Sequence, residues 1–274
     1  MSGSAGAPDT TGTRPTLEVR SISKRFGAVQ AVRDVSFSIN PGEVLGLVGD
    51  NGAGKSTIVN MIAGTLSPDS GQIIVDGAEL KYDDPAASRA RGIEAVYQFL
   101  NVIPSLDIAH NVYLGRELRR GGLGGRLGWI DPGRMRKEAT AALTGAGFTL
   151  PPASRPVATL SGGQRQAVAV ARSLLWGKRV VLLDEATAAL GVKQQRIVLN
   201  YVDTLRSKGV AILFISLNIP QVIGIANRIA VLRLGQIVFE TAATDTNRAE
   251  LVGMLTGARG ALPEASGIRG GASA

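Results

Sequence analysis

"EVLGLVGDNGAGKSTIVNMIAG", residues 43–64, decides the fold. An apolar run ends in a glycine-rich turn, and helical periodicity starts directly behind it with Lys55 and Ser56 in the first positions. Gly49, Gly52 and Gly54 let the backbone approach a ligand closely and turn its amides outward, while the helix dipole favours negative charge in front of it. The loop Gly49, Asp50, Asn51, Gly52, Ala53 and Gly54 therefore reads as a phosphate cradle. Lys55 is placed to reach β- and γ-phosphates, Ser56 to ligate magnesium, and Thr57 to hydrogen-bond an α-phosphate oxygen. The plain alternative is a glycine turn followed by Lys and Ser by chance. The strand before it and the helix behind it argue against that.

On either side of this stretch, β-branched runs alternate with helical periodicity. Strands are expected at 17–24, 32–39, 43–49, 72–76, 93–97, 180–184, 210–215, 228–233 and 236–240, and helices at 54–64, 107–119, 133–145, 163–176, 192–208 and 219–226. Short continuous apolar runs such as 180–183 suit strands buried on both faces of a sheet. The expected fold is α/β, with a mostly parallel core sheet and an antiparallel β subdomain formed by the early strands. The strand signal disappears after residue 98, which implies an inserted helical subdomain at about 99–165. One domain is expected over 17–256. Residues 1–16 and 257–274, rich in Gly, Ala, Ser, Thr and Pro, read as flexible tails.

Composition excludes several classes. With 45% hydrophobic and 19% charged residues in 274, the chain is neither fibrous nor wholly disordered. Its apolar runs fall short of the roughly 20 residues a membrane helix needs. The N-terminal "MSGSAGAPDTTGTRPT" lacks the apolar core of a secretory signal, so a cytosolic compartment is expected. Without cysteine there is no disulfide frame. The net charge of +8 favours an anionic partner such as a nucleotide, nucleic acid or an anionic membrane face, or simply keeps the surface soluble. Charge is densest over 116–137, where Arg119, Arg120, Arg126, Arg134 and Arg136 outnumber Glu117 and Asp131. With "GGLGG" inside it, this segment reads as a solvated loop between two helices, and a lipid or protein contact is the alternative.

Two more stretches carry chemistry. In "VVLLDEATAAL", residues 180–190, four apolar residues deliver Asp184 to the carboxyl end of a strand, where open α/β sheets bind ligands. Asp184 would hold magnesium through water. Glu185 would orient the attacking water, a role worth roughly 10²- to 10⁴-fold in rate. Alone, such a pair is as readily a helix cap; beside a phosphate loop, the catalytic reading gains. In "LSGGQRQAVAVAR", residues 160–172, Ser161 opens a helix whose apolar positions 167, 170, 171, 174 and 175 keep helical spacing. The ordinary reading is a well-capped core helix. Gly162 and Gly163 just after the cap weaken a helix, however, and suit a place where a ligand approaches the backbone. A second anion-binding helix start is thus expected in a chain that already has one.

"GDNGAGKST", then Gln98, then "LSGGQRQ", then "VVLLDE", in this order, resemble the ATPase subunit of ATP-binding cassette (ABC) proteins over residues 17 to about 256. The resemblance implies a P-loop NTPase fold that binds ATP and Mg2+. It also implies head-to-tail pairing, in which each ATP lies between the phosphate loop of one subunit and Ser161, Gly162, Gly163 and Gln164 of the other. Ser56, Gln98 and Asp184 would be the magnesium ligands, and Glu185, Gln98 and Lys55 the catalytic residues. Phe26 would stack on adenine, with a plain core phenylalanine as its alternative. Gln98 would sense the γ-phosphate, and 99–119 would receive the coupling helix of a membrane partner.

Finer similarities lie in "YLGRE", "TAALGV", "ISLNIPQV" and "ELVGMLTGA", which look like ATPases of bacterial monosaccharide importers of the ribose, xylose and fructose class. That likeness implies transmembrane permease subunits, a second ATPase subunit in a homodimer or beside a separate ATPase, and indirectly an external solute-binding protein. It places the chain on the cytoplasmic face of the cell membrane with no nucleic-acid partner. Two other readings stand beside it. One is a soluble ABC ATPase acting on nucleic acid or ribosomes, kept alive by the charge but lacking a second cassette, coiled-coil insert or zinc-binding cysteines. The other is a low-turnover nucleotide-binding regulator.

The low-turnover reading rests on a departure from the family pattern. Where the family has a histidine that contacts the γ-phosphate, this chain has Leu217, and its only histidine, His110, lies far away in sequence. Leucine cannot donate a hydrogen bond, and losing one preorganised donor costs on the order of 3 kcal/mol of transition-state stabilisation. Normal ATP binding and pairing with slow hydrolysis are therefore expected, with Asn218 a conceivable partial substitute.

Overall fold

The computed structural model describes residues 14–97, 102–188 and 190–257. Gln98 and most of the expected tails lie outside them. In chain order the elements are β1 (Leu17–Phe26), β2 (Val29–Ile39), β3 (Val44–Gly49), α1 (Lys55–Ile62), β4 (Ser70–Val75), β5 (Ala78–Glu79), α2 (Pro85–Ala90) and β6 (Ile93–Val96). There follow α3 (Ile108–Val112), α4 (Gly122–Arg126), α5 (Pro132–Gly145), α6 (Gly162–Trp176), β7 (Val180–Asp184), α7 (Val192–Ser207), β8 (Ala211–Ile215), α8 (Ile219–Ile225), β9 (Arg228–Arg233), β10 (Gln236–Ala242) and α9 (Arg248–Thr256).

The strands form two sheets. A six-stranded sheet has the order β10-β9-β3-β8-β7-β6 and is parallel except for β10 at its edge. An antiparallel sheet has the order β2-β1-β4-β5. Side chains alternate across a strand, and the core divides on that period. Leu45, Leu47, Val180, Leu182 and Leu213 face α1 and the antiparallel sheet, together with Ile58, Met61 and Ile73. Val44, Val48, Val181, Leu183 and Phe214 face the opposite layer, with Met135, Val168, Val202 and Val222 from the helices. Every residue of β3, β7 and β8 is buried, including Asp184 at the end of the otherwise apolar β7. The expected α/β architecture is therefore observed, with its mostly parallel core and early antiparallel strands.

Helices and isolated bridges, without further sheet strands, fill the described chain between β6 and β7. The long helix expected over 107–119 is shorter than its periodicity suggests. α3 closes at Val112, Gly115 turns the chain with φ +73°, and the Arg116 side chain folds back onto Glu94 at 2.9 Å. Three helices went unanticipated. α4 is a single turn inside the glycine-rich segment 116–137, which reads as a loop. α9 carries Leu251, Val252, Met254 and Leu255 around its circumference and so shows no apolar stripe. α2 is short and built from small residues, although Asp84 caps it by accepting from the Ala87 amide and Pro85 opens it. Thr16 is already buried, and its backbone bonds Ile39 and Asp76.

Candidate functional site

The site lies at the carboxyl ends of the central parallel strands. β3 delivers the glycine loop, β7 delivers Asp184, and β8, between them, ends just before Ser216 and Leu217. Gly54 has φ +107°, and a Cβ there would stand 2.4 Å from the Ala31 carbonyl oxygen, so only glycine fits. Lys55 Nζ donates to the carbonyls of Gly49 at 2.7 Å and Asp50 at 2.8 Å, which holds the loop curled over the start of α1. Burial pushes the Lys55 ammonium below its ordinary pKa, against the pull of Glu185, Asp184 and Asp50.

Across this loop, Ser56 Oγ donates to Asp184 Oδ2 at 2.9 Å. The hydroxyl and carboxylate expected as magnesium ligands, 128 residues apart in sequence, thus meet directly. Their hard oxygens suit a divalent cation held with a polyphosphate. Burial raises the Asp184 pKa, with Ser56 and Lys55 opposing. A pocket of about 200 Å³ is lined by Asn51, Gly52, Lys55, Ser56, Asp184 and Glu185, among others. Sites that enclose a ligand usually measure about 300–1,000 Å³, so this one offers a polyphosphate an open half-shell.

Glu185 is unusual in three respects. It sits in the left-handed region at φ +52° although it is not glycine, a conformation that persists only where surrounding bonds enforce it. Its amide donates to Ile215 O at 3.0 Å, and its carboxylate accepts from the Leu217 amide. Its Oε1 is buried with no hydrogen-bond partner among the described residues. Such an acceptor, facing a phosphate pocket, is suited to take a hydrogen bond from a water held there. Burial raises its pKa most; the Leu217 amide opposes that, Asp184 adds to it and Lys55 opposes it.

The loop after Glu185 is held by glutamines that sequence reasoning missed. Gln166 Nε2 donates to Ala186 O at 3.0 Å, and Gln195 Nε2 to Thr187 O at 3.3 Å and Leu190 O at 3.0 Å. Gln221 Oε1 accepts from Thr187 Oγ1 at 2.7 Å. They come from α6, α7 and α8, and no local signal marks a glutamine that pairs with a loop elsewhere in the sequence. Ala31, on the pocket wall, was equally invisible.

Ser161 and Gln164 cap α6 reciprocally. The Ser161 amide donates to Gln164 Oε1 at 3.0 Å, and the Gln164 amide to Ser161 Oγ at 3.3 Å. Ser161, Gly163 and Gln164 line a second pocket of about 430 Å³ with Phe148, Lys193 and Gln194. The two pockets share no lining residue. One chain therefore presents two separate anion-ready helix starts.

Phe26 ends β1 and is 49% exposed, with Lys24 Nζ 5.9 Å from its ring centroid; it is not a core residue. Leu217 is 53% exposed at the rim beside Glu185. Asn218 caps α8, its Oδ1 accepting from the Gln221 amide at 3.2 Å, which engages its acceptor and not its Nδ2 donors. His110 Nδ1 lies 2.6 Å from Asp107 Oδ1, and Asp107 also pairs with Arg136, so the histidine belongs to the helical layer. Gln98 lies outside the described residues.

Comparison with known proteins places these features. The profile described as ABC transporter matches residues 32–188. The fructose import ATP-binding protein FrcA of Rhizobium meliloti is 43% identical over 249 residues, spanning 89% of this chain and 95% of its own. The xylose/arabinose import ATP-binding protein XylG of Sulfolobus acidocaldarius is 40% identical, over 88% of this chain and 93% of its own. The ribose import ATP-binding protein RbsA 1 of Rubrobacter xylanophilus is 40% identical, and only 47% of its length is matched. Among solved structures, a nucleotide-free ATP-binding cassette from an ABC transporter superposes with TM-score 0.73 at 25% identity, over 89% of this chain and 96% of its own. A dimeric cassette in a post-hydrolysis state with ADP and Pi gives TM-score 0.71 at 27% identity, over 83% and 98%.

Proposed function

This chain belongs to the ABC transporter family and is an ABC-type ATPase; on that premise we propose that it energises import of a monosaccharide through a separate membrane permease. It pairs head to tail with a second cassette and hydrolyses ATP slowly in isolation. The observation that carries the paired arrangement is the separation of its two anion-ready helix starts, at Gly54–Lys55 and at Ser161, into pockets without a common residue. Neither helix start completes the other within one chain. Each is suited to half of a site shared with a partner.

Within such a site the residues divide the work. The loop 49–54 and Lys55 hold the β- and γ-phosphates, and to do so Lys55 exchanges its carbonyl partners Gly49 and Asp50 for phosphate oxygens. Ser56 and Asp184 fit magnesium, joined by Gln98 as the family likeness implies, and the bound ion would neutralise charge on the transferred phosphoryl group. Glu185 takes the hydrogen bond of the attacking water on its orphaned Oε1 and, with its carboxyl pKa raised by burial, accepts the water's proton. Ser161 and the first amides of α6 grip the partner's triphosphate. Phe26 stacks on the base.

The sugar class rests on relatives named for fructose, xylose/arabinose and ribose import. A seat for the permease is offered by a groove of about 600 Å³ lined by Asn60, Arg89, Glu94, Tyr97 and Leu114. No described helix is long and apolar enough to cross a membrane, and the proposal gives the pore to the separate permease. The solute-binding protein is engaged only through that permease, on the far side of the membrane. The test is to extract the full chain from membranes in mild detergent and identify what accompanies it. A polytopic chain whose reconstituted complex shows sugar-stimulated ATPase activity is expected. Recovery without any polytopic chain, or a Glu185→Gln variant that stays monomeric in ATP and magnesium even beside the permease, overturns the reading.

A further inference from the structure

We propose that the lobe between α3 and α5 is a membrane-surface contact that lays Arg119, Arg120, Arg126 and Trp129 against anionic lipid headgroups beside the permease. The lobe is a closed excursion of the backbone. Arg119 and Ile130 form a bridge, the Arg120 amide donates to Trp129 O at 2.9 Å, and the Asp131 amide donates to Leu118 O at 2.7 Å. Inside this neck the Trp129 amide bonds Gly124 O at 2.9 Å, and the Gly128 amide bonds Gly125 O at 3.0 Å.

The backbone is thus tied, yet three large apolar residues of the lobe remain in solvent. Leu127 is 62% exposed, Trp129 58% and Ile130 40%. Scattered exposed hydrophobics are ordinary; three within four residues of a hydrogen-bonded lobe form a patch. Arg119, Arg120 and Arg126 are exposed within the same lobe, and none has an acidic partner among the described residues. In contrast, the arginines flanking the lobe are all paired: Arg116 with Glu94, Arg134 with Glu138, and Arg136 with Asp107. Unpaired guanidinium groups interleaved with tryptophan, leucine and isoleucine match a membrane interface, where phosphates take the charge and the indole lies at headgroup level.

Placement agrees with this chemistry. Leu114 and Glu94 line the groove assigned to the permease, and Arg116, two residues past Leu114, bonds Glu94 at 2.9 Å and stacks on Trp176 at 4.9 Å. The root of the lobe is therefore bolted to the wall of that groove, and the lobe leaves from its edge. The location beside the permease rests on the importer reading; the lipid affinity does not.

The experiment uses the full purified chain and vesicles of phosphatidylcholine with or without phosphatidylglycerol. Sedimentation with the anionic vesicles alone is expected, weakening as salt is raised, together with a blue shift of tryptophan fluorescence that Trp129→Phe abolishes. Each basic residue at such a surface is worth about fivefold in partitioning, so the triple variant Arg119→Gln, Arg120→Gln, Arg126→Gln should bind on the order of 100-fold more weakly. These side chains are exposed, and unchanged ATP binding in solution confirms that the variant is folded. Equal binding to both vesicle types overturns the proposal. So does charge-dependent binding that survives the triple variant, which assigns the affinity to the general +8 surface. A lobe protected from labelling only when permease is added, with vesicles alone having no effect, assigns it to a protein contact instead. Failure of the importer reading shows up separately, in the membrane extraction.

Discussion

Leu217→His is expected to raise kcat for ATP hydrolysis by roughly 10²-fold and leave KM nearly unchanged. Leu217 contributes its amide to the carboxylate of Glu185, which lines the phosphate pocket, and its own side chain is half-exposed. A hydrogen-bond donor there meets charge that develops only as the γ-phosphoryl group transfers, so it strengthens the transition state and not ground-state binding. Such donors are worth about 3 kcal/mol, and at about 1.4 kcal/mol per tenfold that gives roughly 10²-fold. The exchange removes little packing: full burial of a leucine contributes about 1.5–3 kcal/mol, and this one is already 53% exposed, so at most about 1.4 kcal/mol is lost. Steady-state phosphate release over a range of ATP concentrations is the assay, with Leu217→Ala as the control that removes the leucine without adding a donor. If the histidine variant pairs in ATP and magnesium yet turns over at the wild-type rate, the account of Leu217 is wrong. If the alanine variant rises as much, bulk rather than the missing donor is the cause.

Glu185→Gln should reduce turnover by at least about 10²-fold without destabilising the fold. Burial raises the Glu185 pKa, so as pH rises past the ordinary glutamate value of about 4.3 the unfolded chain ionises first and stability falls until the folded carboxyl follows; the glutamine variant lacks that loss, which urea titrations on both sides of the window will read. Asp107 behaves oppositely: burial alone raises its pKa, but the His110 amide and ring and Arg136 outweigh it and the net shift is downward. Its stabilising contribution is present above about pH 3.9 and is lost as pH falls through its depressed folded value, so the stability gap between wild type and Asp107→Asn should shrink in strong acid. Gln221→Leu strands the Thr187 hydroxyl and should cost about 1–3 kcal/mol in urea titrations. It should also lower kcat more than it changes KM. Gln221→Glu keeps the acceptor and should restore both.

How much was readable in the sequence follows from how local each signal is. That Lys55, Ser56 and Asp184 come together at one end of the sheet was legible because a glycine turn between strand and helix, and an acidic residue closing an apolar run, are signals contained within a dozen residues. The burial of β7 on both faces was legible for the same reason. Ser161 was readable as a helix cap, and it is one. The early end of α3 was not readable, because it depends on Arg116 reaching Glu94 across 22 residues. Nor were Gln166, Gln195 and Gln221, whose meaning is the loop they bond. The cap that Asn218 supplies to the first turn of α8 was not read from the sequence either, because its place one residue past Leu217 drew attention to chemistry instead.

These contacts separate what Leu217 removes from what it leaves intact. A left-handed residue other than glycine stores about 1–3 kcal/mol of strain, and at Glu185 that strain is held by backbone bonds to Ile215 and Leu217. The following loop is fixed at Ala186, Thr187 and Leu190 by glutamine amides and a hydroxyl bond. None of these bonds uses the side chain at position 217. The placement of Glu185 therefore does not depend on the side chain at position 217, and the substitution deletes a donor without loosening the scaffold. Under the proposed function, a chain built this way would keep its pocket, its Ser56–Asp184 pair and its second helix start while turning over slowly. Separable effects of Leu217→His on rate and of Ser161→Ala on pairing are what that division of roles requires.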